Sequence, residues 1–528
     1  VLLALLVAVL SVLLGAALSF VPSTSRAVLG YMRTFATLAA VAVVVSHLLP
    51  EALRELGPLS ILLFLAGWFA PALAHFIGQR STSGRAQHAV LEAGYWGLVI
   101  HHVADGIGLG AYTRLPDQGA HLDVIVALAA HTVPLIAVVS IAYRTTFGAR
   151  SAVMRSLGLA AASVVGILLS NLAAASTIEG FSPIIAAVAA GLLLHVVTHD
   201  LTEDTAHGPL ARSLDLLVAA VGVSVSLLGV LHGEDAGTRE FVQGLVQLGE
   251  RTALVILVAL LAAAFSLRSA DRHSKWARAA LPAGTLGAES VLLSIALFGF
   301  AAAGLRLLVT SLVVAFALNS PAQSAAQEPA PGQHWRARAS EALESSGPWL
   351  VLGLLIGALL TSVPVSALHR RGGGPLVELL VVALVANLTP VAAPAAVLIA
   401  AGLAGLGLSP GAILLFATLA PIADALKSAL KTRALVTIAC FALAFASDSL
   451  GLSATPLDGA LSQGDLGLRA AIALTVLLVF GIWQRSARLW LSTIVRPPPH
   501  EHEHAHDVHG PHEPHRPHEA HDAHGHHH

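Results

Sequence analysis

Apolar residues in this chain come in unbroken runs of about 17 to 25, separated by brief polar interruptions. At 1.5 Å of rise per residue, each run forms a helix that covers the roughly 30 Å of bilayer hydrocarbon. The runs do not alternate apolar with polar positions, which excludes the ten-residue strands of a membrane barrel. Eight such spans follow closely on one another over 1–21, 32–50, 58–80, 91–112, 122–143, 151–172, 181–200 and 212–231. Gly, Pro and Ser mark most of their ends, as at Pro22-Ser23, Gly57-Pro58 and Pro116-Asp117. A ninth span reads over 249–267. The stretch 285–319 is apolar but carries Glu289 and Arg306, and reads either as two spans or as one crossing with a re-entrant piece. A polar linker over 320–346 precedes spans at 347–367, 376–400, 410–427, 434–449 and 467–484. The pattern predicts an all-α polytopic transmembrane bundle in two membrane domains, 1–232 and 240–485, followed by a polar tail over 497–528.

Charge fixes an orientation. Only 11% of the 528 residues are charged and 55% are hydrophobic, far from the roughly 25% charged of soluble domains. Arg26, Arg80, Arg85, Arg144, Arg150 and Arg155 fall on or beside the odd loops of the first domain, whereas the sixth loop holds Glu179 and no basic residue. Odd loops are therefore cytoplasmic and the N-terminus lies outside. Arg370-Arg371, then Lys427, Lys431 and Arg433, then Arg485 and Arg488 fit the same rule if 285–319 crosses once. That choice gives fifteen crossings and a cytoplasmic C-terminus in a multi-pass protein of the cell inner membrane. The chain opens in apolar Val1-Leu2-Leu3 without a basic leader, and 1–21 is read as a span rather than a signal peptide. A net charge of −2 argues against nucleic acid as a partner. Cys440 is the single cysteine, so internal disulfides and thiolate metal clusters are excluded.

Histidine changes the picture, with 27 in all. Thirteen lie beyond Pro497, from His500 to His528, dispersed among Glu, Asp, Pro, Gly and Ala. That composition has no apolar periodicity and cannot form a core, and it suits a flexible, weak sponge for borderline metals. Others sit inside spans, where ionisable groups are costly and mark ion or proton paths. The second span ends in His47-Leu48-Leu49-Pro50-Glu51, with His47 and Glu51 four apart. The fourth carries His101-His102-Val103-Ala104-Asp105-Gly106, which places His101 and Asp105 on one helix face and His102 about 100° away. The fifth carries His131-Thr132-Val133-Pro134, and the seventh carries His195, His199 and Asp200. Neutral imidazole with carboxylate suits Zn²⁺, and also Fe²⁺, Mn²⁺, Co²⁺ or Ni²⁺. Prolines at 50 and 134 predict backbone breaks whose carbonyls can join such a site.

These motifs resemble those of the ZIP (Zrt/Irt-like) divalent-metal transporters over residues 1–232. His47-Leu-Leu-Pro-Glu51 is similar to that family's second-span ending, and His101-His-Val-Ala-Asp105-Gly to its fourth-span His-Asn-x-x-Asp/Glu-Gly. His131-Thr-Val-Pro134 is similar to its fifth-span His-Glu-x-Pro. The resemblance implies eight spans with both ends outside and transport of Zn²⁺, Fe²⁺ or related ions towards the cytoplasm. It makes His101, His102 and Asp105 fourth-span ligands and His131 the fifth-span ligand. Dimers are common among such transporters, so it also implies a homodimer. The chain departs from the pattern at His102, where the family has asparagine, at Thr132, where it has an acid, and at Leu135. The segment 240–485 resembles, more distantly, bacterial metal and arsenical permeases. The match lies in Asn387-Leu-Thr-Pro-Val-Ala-Ala-Pro394, Leu408-Ser-Pro-Gly-Ala-Ile-Leu-Leu-Phe416 and Ala420-Pro421. Thr389-Pro390 and Pro394 predict a broken helix there.

The expected function is transport of a divalent metal ion, zinc first, across a lipid bilayer by alternating access. Efflux driven by the second half and a non-transporting metal sensor are the alternatives. An enzyme is not expected: an intramembrane metallohydrolase wants His-Glu-x-x-His, and Val196 stands where the base should follow His195.

Overall fold

The computed structural model describes residues 2–20, 26–57, 59–79, 86–112, 122–172, 175–199, 208–232, 236–266, 288–318, 335–361, 363, 374–389, 391–425, 430–451 and 465–495. Every regular element among them is helical. The chain is an all-α, multi-pass membrane protein. Seven helices among the described residues are long and apolar enough to cross a bilayer, and seven further apolar stretches are 10–17 residues long.

The first half runs α1 (Leu2–Leu18), α2 (Arg26–Val43), a π turn (Val44–Leu48), α3 (Leu49–Leu56), α4 (Leu59–Gln79), α5 (Ala86–Tyr112), α6 (Leu122–Phe147), α7 (Ala149–Leu172), α8 (Ala175–His199) and α9 (Pro209–His232). The predicted spans of this half lie on these elements, with ends shifted by a few residues. The helices sort into two groups by contact. Helices α1, α5, α6 and α7 pack on one another, and α2–α3, α4, α8 and α9 form the second group. The groups meet where α2 packs on α6, α4 on α5, α6 on α9 and α5 on α8.

Lipid tails are as apolar as leucine, so burying leucine does not draw these helices together. Close backbone approach through small residues does. At the α5–α7 crossing, a methyl group on Gly106 would strike the Ser163 carbonyl and lie 3.0 Å from the Gly166 Cα. The α4–α8 crossing is built the same way: Gly191 lies on the Phe64 carbonyl and Gly67 on that of Val188. Large apolar side chains such as Trp96, Ile100, Leu168 and Leu62 point outwards instead. Buried positions in α7 are mostly Ala, Ser and Gly.

The second half comprises α10 (Ala236–Ser266), α11 (Ala288–Leu318), α12 (Trp335–Thr361), α13 (Pro375–Leu388), α14 (Ala393–Gly405), α15 (Pro410–Ala425), α16 (Leu430–Ser449), α17 (Asp465–Arg485) and α18 (Ala487–Val495). Three features of this half stand out. Helix α12 begins inside the expected polar linker, because residues 335–346 wind helically ahead of the apolar run. Helix α11 is broken at Gly299, whose φ of 80° and ψ of 173° suit only glycine. The single crossing expected over 376–400 is two helices of 14 and 13 residues. Each is about 20 Å long, short of a full crossing. One helix ends at Thr389 and the next begins after Ala392, where Thr389-Pro390 and Pro394 predicted a break. Arg433 of α16 secures it, donating through Nε to the Asn387 Oδ1 at 2.9 Å and also to the Asn387 carbonyl. Helix α14 is sheathed by α12 and α15, and a methyl group on Gly402 would lie 2.6 Å from the Gly357 carbonyl oxygen.

The halves are joined by a buried polar seam. Asp215 on α9 accepts from Thr34 Oγ1 of α2 at 2.6 Å and from the Ala487 amide that opens α18 at 2.9 Å. Arg488 Nε donates to Thr34 Oγ1 at 3.2 Å.

Candidate functional site

The sequence concentrates its buried chemistry on α5, and the structure keeps it there. His101, His102 and Asp105 are 2%, 1% and 8% exposed, well inside the helix and away from both lipid and solvent. One helical turn brings His101 Nε2 to 3.3 Å from Asp105 Oδ2, as the four-residue spacing predicted. The two imidazoles meet edge to face, with ring centroids 5.8 Å apart.

Helix α7 orients the second ring. His102 Nδ1 lies 3.1 Å from Ser163 Oγ, and that hydroxyl donates to the Leu159 carbonyl at 3.3 Å. In the tautomer whose Nδ1–H donates to this serine oxygen, the imidazole lone pair is on Nε2. A hydrogen bond that fixes the tautomer in this way is what metal-binding histidines commonly carry. Contact at this distance depends on the Gly106–Gly166 crossing, where α5 and α7 approach most closely. Ser163 was not among the sequence candidates. Its signal is a small hydroxyl residue three before Gly166 in a span of Ala and Gly, which is legible only once α7 is known to face α5.

The other predicted residues fall at different distances from this turn. His47 is buried, and it sits in the π turn, where the Leu49 amide reaches back to the Val44 carbonyl. The expected disturbance at Pro50 is therefore one wide turn just before the proline. Helix α6 instead runs without interruption through 134, from Leu122 to Phe147. Glu51, on α3, is half-buried. His195 is half-buried against α4, edge-on to Trp68 at 5.7 Å between centroids. The side chains of His131 and His199, the residue Asp200, and the histidine-rich tail over 497–528 lie outside the described residues. The helices that carry the candidates are neighbours: the π turn packs on α8, α8 on α5, and α2 and α5 on α6. Among the described residues, no group of three or more His, Cys, Asp or Glu side chains is placed to hold one metal ion.

A charged cluster stands two to three turns from this site, towards the start of α5. Arg155 pairs with Glu92 at 2.6 Å and lies 4.5 Å over the Tyr95 ring. The Tyr143 hydroxyl donates to Glu92 at 3.4 Å. These contacts tie the ends of α5, α6 and α7 together.

No known family model, no curated protein and no solved structure matches this chain.

Proposed function

We propose that this protein transports divalent metal cations, zinc first among them, through its first half. The observation that carries the proposal is the buried His101–Asp105 pair beside an oriented His102, in the middle of a helix that crosses an apolar bundle. A carboxylate and two imidazoles offer borderline donors and offset a cation's charge where water is scarce. Moderate ligands suit transport, because the ion must leave again. The ZIP-like motif pattern supports the same reading and adds His131 from α6 to the ligand set. In this proposal His47, Glu51, His195, His199 and Asp200 line the path on the neighbouring elements. Movement of the α1/α5/α6/α7 group against the α2–α3/α4/α8/α9 group would expose the site to each side in turn. The orientation proposed is N-terminus outside with the histidine-rich tail cytoplasmic, in the inner membrane.

The test is metal flux into proteoliposomes loaded with a Zn²⁺-sensitive dye. The intact chain, a chain ending after Arg496, His101→Ala and Asp105→Ala are compared. Saturable flux that both substitutions abolish and the truncation spares is the expected result. Flux that survives both substitutions and follows a pH gradient would refute it. That outcome would favour efflux through the second half, for which the broken α13–α14 pair is the structural argument.

A further inference from the structure

Helix α14 runs parallel to α12. A methyl group on Gly353 would lie 2.8 Å from the Ala395 Cα, and one on Gly405 would lie 3.0 Å from Thr361 Cγ2. The chain leaves α12 at Thr361 and finishes α14 at Gly405, so both helices stop at the same end of the bundle. Helix α13, the one described element between them, therefore runs the opposite way. A second contact closes the same ring. Glu378, in the first turn of α13, accepts from the Ser409 amide, just past α14, at 2.7 Å. Two parts of one straight crossing would hold residues 378 and 409 about 40 Å apart. The neighbouring helices agree. Asp448, near the end of α16, accepts from the Ser409 hydroxyl at 2.8 Å and from the Gly411 amide at 2.6 Å. Helices α15 and α16 thus also leave from and return to this end. Helix α17 then runs to the other end, where Arg485 pairs with Glu344 of α12 at 2.8 Å.

Each arm is about 20 Å long, against roughly 30 Å of hydrocarbon, so the turn at 389–392 stops inside the bilayer. Irregular backbone at that depth is tolerated only where protein buries it or water reaches it. Asn387, Thr389 and Arg433, which holds Asn387, are all half-buried. Arg433 stands in the first turn of α16, at the opposite end from Glu378. Its guanidinium keeps its charge and needs water rather than lipid beside it. We propose that α13 and α14 form a re-entrant hairpin, which enters the bilayer from the face where α12 ends and returns to that face. Its polar tip lies in a recess that water reaches from the opposite face. A solute that crosses the second half meets this hairpin as its barrier.

The experiment places single cysteines in the full chain, in a Cys440→Ala background, and labels right-side-out and inverted vesicles with a membrane-impermeant maleimide. Gly374→Cys, where an added side chain meets no atom within 4 Å, and the exposed Leu450→Cys should label from one face. The exposed Lys431→Cys should label from the other. A single crossing over 376–400 would instead put 374 and 431 on one face and 450 on the other, and that result would overturn the proposal. Thr389→Cys, at the tip, should react with a charged methanethiosulfonate from the Lys431 face alone. Reaction from the Gly374 face, or from neither, would overturn the wetted recess. In a separate arm, a short bismaleimide should join Glu378→Cys to Ser409→Cys, read as a linked peptide by mass spectrometry. Ser340→Cys with Gln484→Cys is the control pair, since those side chains are 2.9 Å apart in the parent. No 378–409 link where the control pair links would overturn the hairpin. Where the 378–409 pair does not fold, labelling at the exposed positions carries the test. Zinc flux through the first half plays no part in these readouts.

Discussion

Gly166→Ala gives a direct test of how α7 positions the candidate site. The added methyl would collide with the Val103 carbonyl and lie 2.9 Å from both the Gly106 Cα and the Ile107 nitrogen. Restoring ordinary van der Waals distances requires α5 and α7 to separate by about an ångström or more, since the Val103 carbonyl oxygen would lie only 2.1 Å from the new carbon. The same shift lengthens the 3.1 Å contact between His102 and Ser163 past about 3.5 Å, beyond hydrogen-bond range. Overpacking of this kind costs about 1–3 kcal/mol. The variant should therefore unfold at lower SDS mole fraction than the parent, and its saturable Zn²⁺ flux should fall at the same time. Gly97→Ala is the matched control. It lies on the same α5, and an added Cβ there meets no atom within 4 Å. It should leave flux intact and change stability by no more than about 1 kcal/mol, in the stabilising direction that helix propensity favours. If Gly166→Ala matches the parent in both stability and flux while Gly97→Ala does too, the helices do not approach as described and the orientation of His102 by α7 is refuted.

Asp105→Asn keeps the shape of the carboxylate and removes its charge, so proteoliposome flux should be lost while SDS unfolding stays close to the parent. Ser163→Ala releases the His102 tautomer, and half-maximal flux should need about 10–100-fold more metal. Asp215→Ala removes the acceptor of two buried bonds at the seam between the halves. It should cost about 1.5–3 kcal/mol in SDS unfolding, with a large coupling to Thr34→Val in a double-mutant cycle. Arg433→Met frees the end of α13, and chymotrypsin should then cut after Leu388 faster than it does in the parent.

Much of this architecture is legible in the residues because bilayer thickness leaves an apolar run few alternatives. The helices of the first half, the shared face of His101 and Asp105, and the end of α13 at Thr389 all follow from local rules of length, helical period and proline. What was not legible depends on which helix faces which. Ser163 is one serine among several in α7 until the Gly106–Gly166 crossing brings it to His102. Asp215 and Arg488 are 273 residues apart, and Thr34 meets both only after the two halves dock. The Gly299 break gave little signal because glycine is common in apolar spans, and its flanking residues carry no proline. How the π turn, α6 and α8, which carry the other candidate histidines, lie around α5 depends on which helix faces which, to which spacing along the chain is blind.

The seam at Asp215 gives the last short helix a role larger than its nine residues suggest. Its first amide is held by a carboxylate from α9, and that carboxylate also grips α2, the helix that leads into the π turn bearing His47. Pulling α18 away would strip one donor from a buried anion and loosen α2 from α9 in the same event. One carboxylate thus fixes both the start of α18 and the helix that leads into the turn bearing His47.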